Sequence, residues 1–315
     1  LILNYGAVRR ELLALVGLTC TGKGKLALAV ADELGGPDAV SLVACDSAKV
    51  YRGADVGTAK VAPAARRGYE FRMVDVVDPG ASYSAGRYMR EGRAACEDLW
   101  RRGKLPLVVG GTGLYFRALV DGIAAAPPAD EGVRASLQAR RERGVDLYGY
   151  LSDVDAAAAA RISPADAKRV VRALEVFELT GVPLSKLHGE GSRPFALDKL
   201  AVVALNGSRR WLAERVAERA RRMLAAGWRE ETEKLLRRAG NPAAPPLAAI
   251  GYRHMVRFLA GELNEEEIVE RVTRETLLLA KRQRTWFKKE RRAVWLDAEK
   301  GTEPLREEVL AIWRL

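Results

Sequence analysis

The chain has 315 residues, a length that admits one large domain or two ordinary ones. Hydrophobic residues make up 48% and charged residues 30%, which supports an extensive core and excludes wholesale disorder. Fifty-two Lys and Arg against 41 Asp and Glu give a net charge of +11, a balance that favours a polyanionic partner, nucleic acid before an anionic membrane surface.

The opening segment, LILNYGAVRRELLALVG, breaks its apolar run with two arginines and a glutamate and is not expected to be a signal peptide. It begins with Leu1 rather than Met, which suggests missing or processed leading residues. No apolar run approaches the roughly 18 residues of a spanning helix, so no membrane is expected. Cys20, Cys45 and Cys96 are odd in number and widely spaced, which fits a reduced cytoplasmic setting better than a disulfide framework. With only His188 and His254, neither a histidine-based zinc site nor a histidine triad is expected.

Along the chain, residues 12–17 read as a strand and 25–34 as a helix, followed by strands at 40–45 and 71–76. A long helix is expected over 84–102, stopped by Gly103, then a buried strand over 105–109 ending in Gly110-Gly111. The sheet resumes with strands at 200–205 and 294–296. This alternation predicts an α/β fold, a parallel sheet flanked by helices, which the glycine-rich loop at 17–24 marks as P-loop NTPase-like. Between Pro127 and Pro194 the composition shifts to Ala, Arg and Glu without a convincing strand, which predicts a helical insertion of about seventy residues. The expected organisation is therefore a core of 1–126 with 195–315, and an inserted helical domain of 127–194. From 208 to 290 the core is read as almost wholly helical, broken at Gly240-Asn241-Pro242 and Pro245-Pro246.

Gly17-Leu-Thr-Cys-Thr-Gly22-Lys23-Gly24 follows the first strand and opens the first helix. That is the context of a G-x-x-x-x-G-K phosphate loop, in which backbone N–H groups and a helix N-terminus converge on phosphate oxygens and the lysine adds a point charge. The last motif position, where Ser or Thr normally sets a hydroxyl on Mg²⁺, is Gly24. Asp46 ends the next strand, at the carboxyl edge where open α/β sheets hold their chemistry. A metal ligand, a general base and a helix N-cap are all compatible with its spacing. Thr112, in Gly110-Gly111-Thr112-Gly113, either aims its hydroxyl at the same crevice or caps a helix over 114–119.

Near the C-terminus, Ile268, Val272, Leu279 and Trp286 fall within about 40° of each other on a wheel of 100° per residue. Lys281, Arg284, Lys288, Arg291 and Arg292 lie opposite, either as a solvated face or as a stripe for a phosphate backbone. Arg209, Arg210, Arg215, Arg219, Arg221 and Arg222 extend the basic surface. In the insertion, Arg169 and Arg172 share one helical face, where they either meet a polyanion or pair with acids such as Glu175.

Seven blocks occur in a fixed order: the phosphate loop, Ala44-Cys-Asp46-Ser47-Ala-Lys-Val-Tyr51-Arg52-Gly53, Asp55-Val-Gly57-Thr58-Ala-Lys60, Val109-Gly-Gly-Thr112-Gly-Leu-Tyr115, Lys168-Arg169-Val-Val-Arg172-Ala-Leu-Glu175, Ile250-Gly-Tyr252-Arg253, and Ala280-Lys281-Arg282-Gln283-Arg-Thr285-Trp286. Together they resemble the tRNA dimethylallyltransferase family, over nearly the whole chain. The resemblance implies transfer of a dimethylallyl group from dimethylallyl diphosphate to the exocyclic N6 of the adenosine 3′ of the anticodon, in tRNAs that read codons beginning with U.

It also implies roles for residues. Asp46 matches the general base, with Thr112 and Lys23 as its catalytic partners. Gly17, Thr19, Cys20, Thr21, Gly22, Lys23 and Gly24, with Arg215 and Arg219, match the binding site for the donor's diphosphate. Asp46, Ser47, Ala48, Lys49, Thr112, Gly251, Tyr252, Arg253, Lys281, Arg282 and Arg284 match tRNA-contacting positions of the core. In the insertion, Arg134, Lys168, Arg169, Val170, Val171 and Arg172 match positions that clasp the anticodon stem-loop. Mg²⁺ is the cofactor the resemblance implies, and a cytoplasmic monomer is the expected state. The chain departs from the family at Gly24, at Ala48-Lys49 where Met-Gln is usual, and at His254 where Gln is frequent; the absence of a zinc-finger extension resembles the bacterial type. Three rival readings remain: a prenyltransferase acting on free adenine nucleotides, a P-loop small-molecule kinase, and an RNA-binding homologue with a vestigial site.

Overall fold

The structure is a computed structural model and describes residues 9–124, 126–190 and 193–315, with the side chains of 188–190 apart. The first eight residues of the opening segment, Gly191-Ser192 and the side chain of His188 lie outside the described residues. In chain order the elements are β1 (Glu11–Gly17), α1 (Lys23–Glu33), α2 (Gly36–Ala39), β2 (Val40–Cys45), β3 (Phe71–Arg72), α3 (Ala85–Arg101), β4 (Leu105–Gly110) and α4 (Gly113–Val120). Then come α5 (Glu131–Glu142), α6 (Leu147–Val154), α7 (Ala156–Ala159), α8 (Ala167–Thr180) and α9 (Leu184–Glu190). The chain finishes with β5 (Lys199–Asn206), α10 (Arg209–Ala225), α11 (Trp228–Ala239), α12 (Tyr252–Leu259), α13 (Glu265–Phe287), β6 (Ala293–Asp297) and α14 (Thr302–Arg314).

The six strands form one parallel sheet in the order β3-β2-β4-β1-β5-β6. A strand covered on both faces must be apolar at successive residues, and Leu12 to Val16 are all fully buried. Leu13 sits beside Leu107 and Ala201, and Leu15 beside Val109 and Val203, so the centre of the sheet is one apolar layer. Leu26, Ala27 and Val30 of α1 and Leu305, Val309 and Leu310 of α14 pack into this same core. β3 stops after two residues instead of running to Val76: Met73 and Asp75 take left-handed φ values of 61° and 57°, which break the ladder. Just beyond it, Val77 forms an isolated parallel bridge with Tyr51, outside the named strands.

The described residues divide into two compact units: Val120–Phe195, and the flanking stretches up to Leu119 and from Ala196 onward. The first is helical, built on Leu137, Leu147, Leu151, Val170, Ala173 and Leu174. No described helix is long and apolar enough to cross a membrane.

Candidate active site

The register pairs Cys45 with Gly110 and Gly17 with Leu205, and β2, β4 and β1 are neighbours. The turns after these three strands therefore emerge side by side at one edge of the sheet. Gly17 turns with φ 110°, where a Cβ would stand 2.7 Å from the Leu205 nitrogen, so only glycine fits between the strands. Cys20 and Gly22 follow with φ 63° and 85°, curling the loop before α1 begins at Lys23. The Thr21 hydroxyl is buried and donates to the Leu18 carbonyl at 2.7 Å. Lys23 folds its ammonium back on the loop, donating to the Gly17 carbonyl at 3.3 Å and to that of Leu18. Burial pushes its pKa down to about 8, while Cys20 and Asp46 oppose that shift, so it remains mostly protonated at neutral pH.

Loop, Asp46 and Thr112 open onto one cavity of about 670 Å³. Its lining carries six cationic side chains (Lys23, Lys49, Arg215, Arg219, Arg222, Arg282) against one carboxylate, Asp46. Another stretch of the lining is apolar, with Val216, Met223, Ile250, Val272, Leu279 and Trp286. Such a chamber suits a strongly anionic group attached to a hydrocarbon. Asp46 is followed by a turn, so the N-cap reading falls; its Oδ1 accepts the Ala48 N–H at 2.9 Å. Asp46 Oδ2 has no partner among the described residues. The Thr112 Oγ1 accepts the Ser47 N–H at 3.0 Å and lies 3.4 Å from the Ser47 hydroxyl, which ties the β4 turn to the β2 turn.

Two clamps add to this frame: Gln283, which the seventh block contains without an assigned role, and Glu231, which no sequence motif singles out. Gln283 of α13 accepts the Thr19 N–H at 2.8 Å and donates to the Gly111 carbonyl at 3.1 Å, bridging the loop and the Gly-Gly turn. Glu231 of α11 accepts the N–H groups of Asp55, Val56 and Gly57 at 2.7–3.0 Å and the hydroxyl of Tyr252. Arg215 stacks on Trp211 and donates to the Cys20 carbonyl at 2.9 Å, which places a guanidinium at the rim of the loop. Arg219, one turn further along α10, lines the cavity directly.

The remaining expected ligands divide by exposure. Lys281 and Arg282 are exposed on α13, but that helix ends at Phe287, so Arg291 and Arg292 leave its face and Arg292 pairs with Glu290. Arg284 is not a solvated cation either: its guanidinium donates to Asn206 Oδ1 at 3.0 Å and to the Gly207 carbonyl at 2.8 Å. Tyr252 is fully buried beside Gly251, whose φ is 97°, and Arg253 binds Glu275. His254 is buried with Nε2 2.9 Å from the same carboxylate. Against burial, which raises it, the Arg253 and His254 contacts hold the Glu275 pKa below its ordinary value.

Within the helical unit, Glu175 is fully buried, and Arg134 binds it through two nitrogens at 2.8 and 3.1 Å. Arg172 adds a third contact at 2.6 Å and donates to the Pro127 carbonyl at 2.7 Å. Burial favours the acid form of Glu175, but the two arginines and the Asp130 N–H overcome it and lower its pKa. Of the two sequence readings for Arg172, pairing with Glu175 is the one observed. Val170 is 3% exposed and belongs to the unit's core, which turns its side chain away from any ligand, and Val171 packs against the same core. Lys168 and Arg169 are exposed, Arg169 resting 3.3 Å from Asp166.

A loop-held Mg²⁺ needs oxygen ligands in octahedral array, normally including the motif's hydroxyl. Gly24 offers none, and Asp46 is the one acid in the lining. Among the described residues no group of three His, Cys, Asp or Glu converges anywhere. The residues present do not fit a Mg²⁺ ion held by the loop.

The family model described as IPP transferase matches residues 49–290. A tRNA dimethylallyltransferase of Methylococcus capsulatus is 43% identical over 297 residues, 93% of each chain. The crystal structure of a tRNA isopentenylpyrophosphate transferase from Bacillus halodurans is similar with a TM-score of 0.67 at 31% identity, covering 97% of both chains. A eukaryotic dimethylallyltransferase acting on tRNA superposes with a TM-score of 0.75 at 25% identity, over 92% of this chain and 74% of that one.

Proposed function

This chain belongs to the IPP transferase family, and from that membership together with its cavity we infer that it is a tRNA dimethylallyltransferase. The reading places dimethylallyl diphosphate in the cavity, its diphosphate on the loop N–H groups, Lys23, Arg215 and Arg219, and its hydrocarbon along the apolar lining. The acceptor is the N6 of the adenosine 3′ of the anticodon in tRNAs reading codons that begin with U. The observation that carries the reading is the coexistence, in one cavity, of six cations, a hydrocarbon-lined stretch and a single carboxylate at a strand end.

The chemistry follows from that arrangement. As the N6–carbon bond forms, the allylic carbon–oxygen bond breaks, and the electron pair leaves with the diphosphate. The charge developing on the leaving group meets fixed amides and cations in a partly desolvated site, where such groups are most effective. Adenine N6 is a poor nucleophile because its lone pair is delocalised into the ring. Asp46, with Oδ2 open to the cavity, accepts the N6 proton as the bond forms. Thr112 orients the acceptor from the neighbouring turn. The base must leave its stack to arrive there, at a cost of a few kcal/mol.

On the RNA side, Ser47, Ala48 and Gly251 at the cavity, and Lys281 and Arg282 on α13, are the proposed contacts, with Lys168 and Arg169 reaching the anticodon stem from the helical unit. A monomer is the proposed state, and the tRNA substrate implies a cytoplasmic setting. The test is incubation with unmodified tRNA and dimethylallyl diphosphate in Mg²⁺ buffer, followed by digestion and mass spectrometry for N6-dimethylallyladenosine, with AMP replacing tRNA in parallel. Product in tRNA alone is expected. Product on AMP alone would assign the chain to free nucleotides, and no product on either would remove the transferase reading.

A further inference from the structure

Two observations meet at the diphosphate end of the cavity. The first is Gly24. Its φ is ordinary, and a Cβ built there meets nothing within 4 Å, so neither backbone nor packing requires glycine. The hydroxyl that would normally carry the divalent cation is missing for no steric reason.

The second is Lys49, which lines the same cavity as Lys23, Gly24 and Asp46. It sits four residues beyond the end of β2, on the turn that Asp46 and Thr112 fix through the Ala48 and Ser47 N–H groups. Among the described residues its ammonium has neither a hydrogen bond nor an ion pair. Lys60, nearby, shows what a structural lysine looks like here: its side chain is 4% exposed, donates to the Tyr51 carbonyl at 2.6 Å and pairs with Asp55 and Asp75 at 2.7 and 2.5 Å. Burial and the neighbouring Arg219 and Lys60 work against the charge on Lys49, and Asp46 is the carboxylate favouring it. A partly buried cation left unpaired beside two others is electrostatically unfavourable until an anion arrives. The cavity's surplus, six cations against one carboxylate, is sized for an anion of several charges.

We propose that Lys49 replaces the loop-held divalent cation: its ammonium supports the donor's diphosphate directly, so that this chain binds diphosphate without metal. The proposal rests on the transferase reading, because it takes the diphosphate as the leaving group. An ammonium carries three rotatable donors and can follow the phosphate oxygens as charge builds on them when the carbon–oxygen bond breaks. Lys49 transfers no proton; that task remains with Asp46.

The experiment is calorimetric titration of the full chain with inorganic diphosphate, in EDTA and in Mg²⁺, for the wild type, Lys49→Gln, Lys49→Arg, and Gly24→Thr combined with Lys49→Gln. The wild type should bind diphosphate in EDTA within about threefold of its affinity in Mg²⁺, and Lys49→Gln should lose about tenfold or more in EDTA. Lys49→Arg should recover most of that loss, which a folding defect at this position would not. The double variant should bind well only with Mg²⁺, having exchanged an ammonium for a hydroxyl ligand. Wild-type binding that collapses in EDTA, or Lys49→Gln binding unchanged in EDTA, overturns the proposal. So does a Lys49→Gln variant that loses tRNA affinity alone, because Lys49 would then belong to the RNA. Failure of the transferase reading shows separately, as absence of prenylated adenosine from wild-type protein whatever diphosphate binding does.

Discussion

The two units handle positive charge in opposite ways. In the helical unit, Arg134 and Arg172 share the buried Glu175, Arg140 reaches Glu178 at 2.6 Å, and Arg169 rests on Asp166. Around the cavity of the sheet unit, Arg222 is the one lining cation with an acidic partner at ion-pair distance among the described residues, 3.6 Å from Glu218. A net charge of +11 does not distinguish the two arrangements. What separates a binding surface from a scaffold is whether the charge is already neutralised. Cations left facing one void hold a place for an external anion, whereas cations spent on an internal carboxylate stabilise the fold.

The largest test of this contrast is Asp46→Ala. If Asp46 is the proton acceptor among those cations, transfer should fall by about 10²–10⁴-fold with tRNA affinity largely unchanged. Single-turnover transfer and filter binding separate the two effects, and retained transfer would remove Asp46 as the base. Next is Glu175→Gln in the other unit. It leaves two arginines without their buried carboxylate, and a loss of about 3–5 kcal/mol is expected from urea unfolding followed within that unit. The pH dependence has a definite sign. The folded-state pKa of Glu175 is lowered, so its contribution is fully present above the unfolded value of about 4.3 and fades as pH falls through the folded value. The stability gap between wild type and Glu175→Gln should therefore hold from pH 7 to about pH 5 and shrink below it. A gap independent of pH down to the lowest measurable point would deny the ion cluster its role.

What could be read from sequence was local. The phosphate loop, the carboxylate ending β2 and the glycine turn ending β4 each announce themselves within ten residues, because a strand, a tight turn and a helix start have short-range signatures. Side-chain partners far along the chain do not. Gln283 binds a loop 264 positions away, and Glu231 a turn more than 170 away, so neither side chain's role could be read from its own neighbourhood, although Gln283 stood inside the seventh block. Arg284 shows the converse failure. Periodicity put it on the face opposite the apolar stripe, but not that Asn206 and Gly207 at the end of β5 fill that space. The seven ordered blocks carried the family reading by resemblance, although the same resemblance placed Val170 among RNA contacts when it is a core residue.

A smaller effect is expected from loosening the cavity without removing any charge. Gln283→Ala leaves the Thr19 N–H and the Gly111 carbonyl without their bridge, a loss of about 1–3 kcal/mol for the loop's fixed shape. The donor's KM should rise about tenfold while tRNA affinity holds. Gln283→Glu should recover only part of this, since a carboxylate still accepts from Thr19 but cannot donate to Gly111. Full recovery would mean that the Gly111 contact carries no weight.

The smallest expected effect is the one most able to break the contrast between the units. Lys168 and Arg169 are exposed; Lys168 has no ion pair among the described residues, and Arg169 holds only a surface contact to Asp166. A surface pair of that kind is worth at most about 1 kcal/mol and yields readily to a phosphate. If the helical unit meets RNA through these residues, Lys168→Ala with Arg169→Ala should weaken tRNA binding several-fold and leave diphosphate binding and stability unchanged. The slope of log affinity against log salt should become shallower by about 0.7–0.9 per phosphate contact removed, or about 1.5 for the pair. That slope separates lost phosphate contacts from a merely altered surface. If slope and affinity both stay at their wild-type values, the helical unit's cations serve only their own carboxylates, and the RNA surface is confined to the sheet unit.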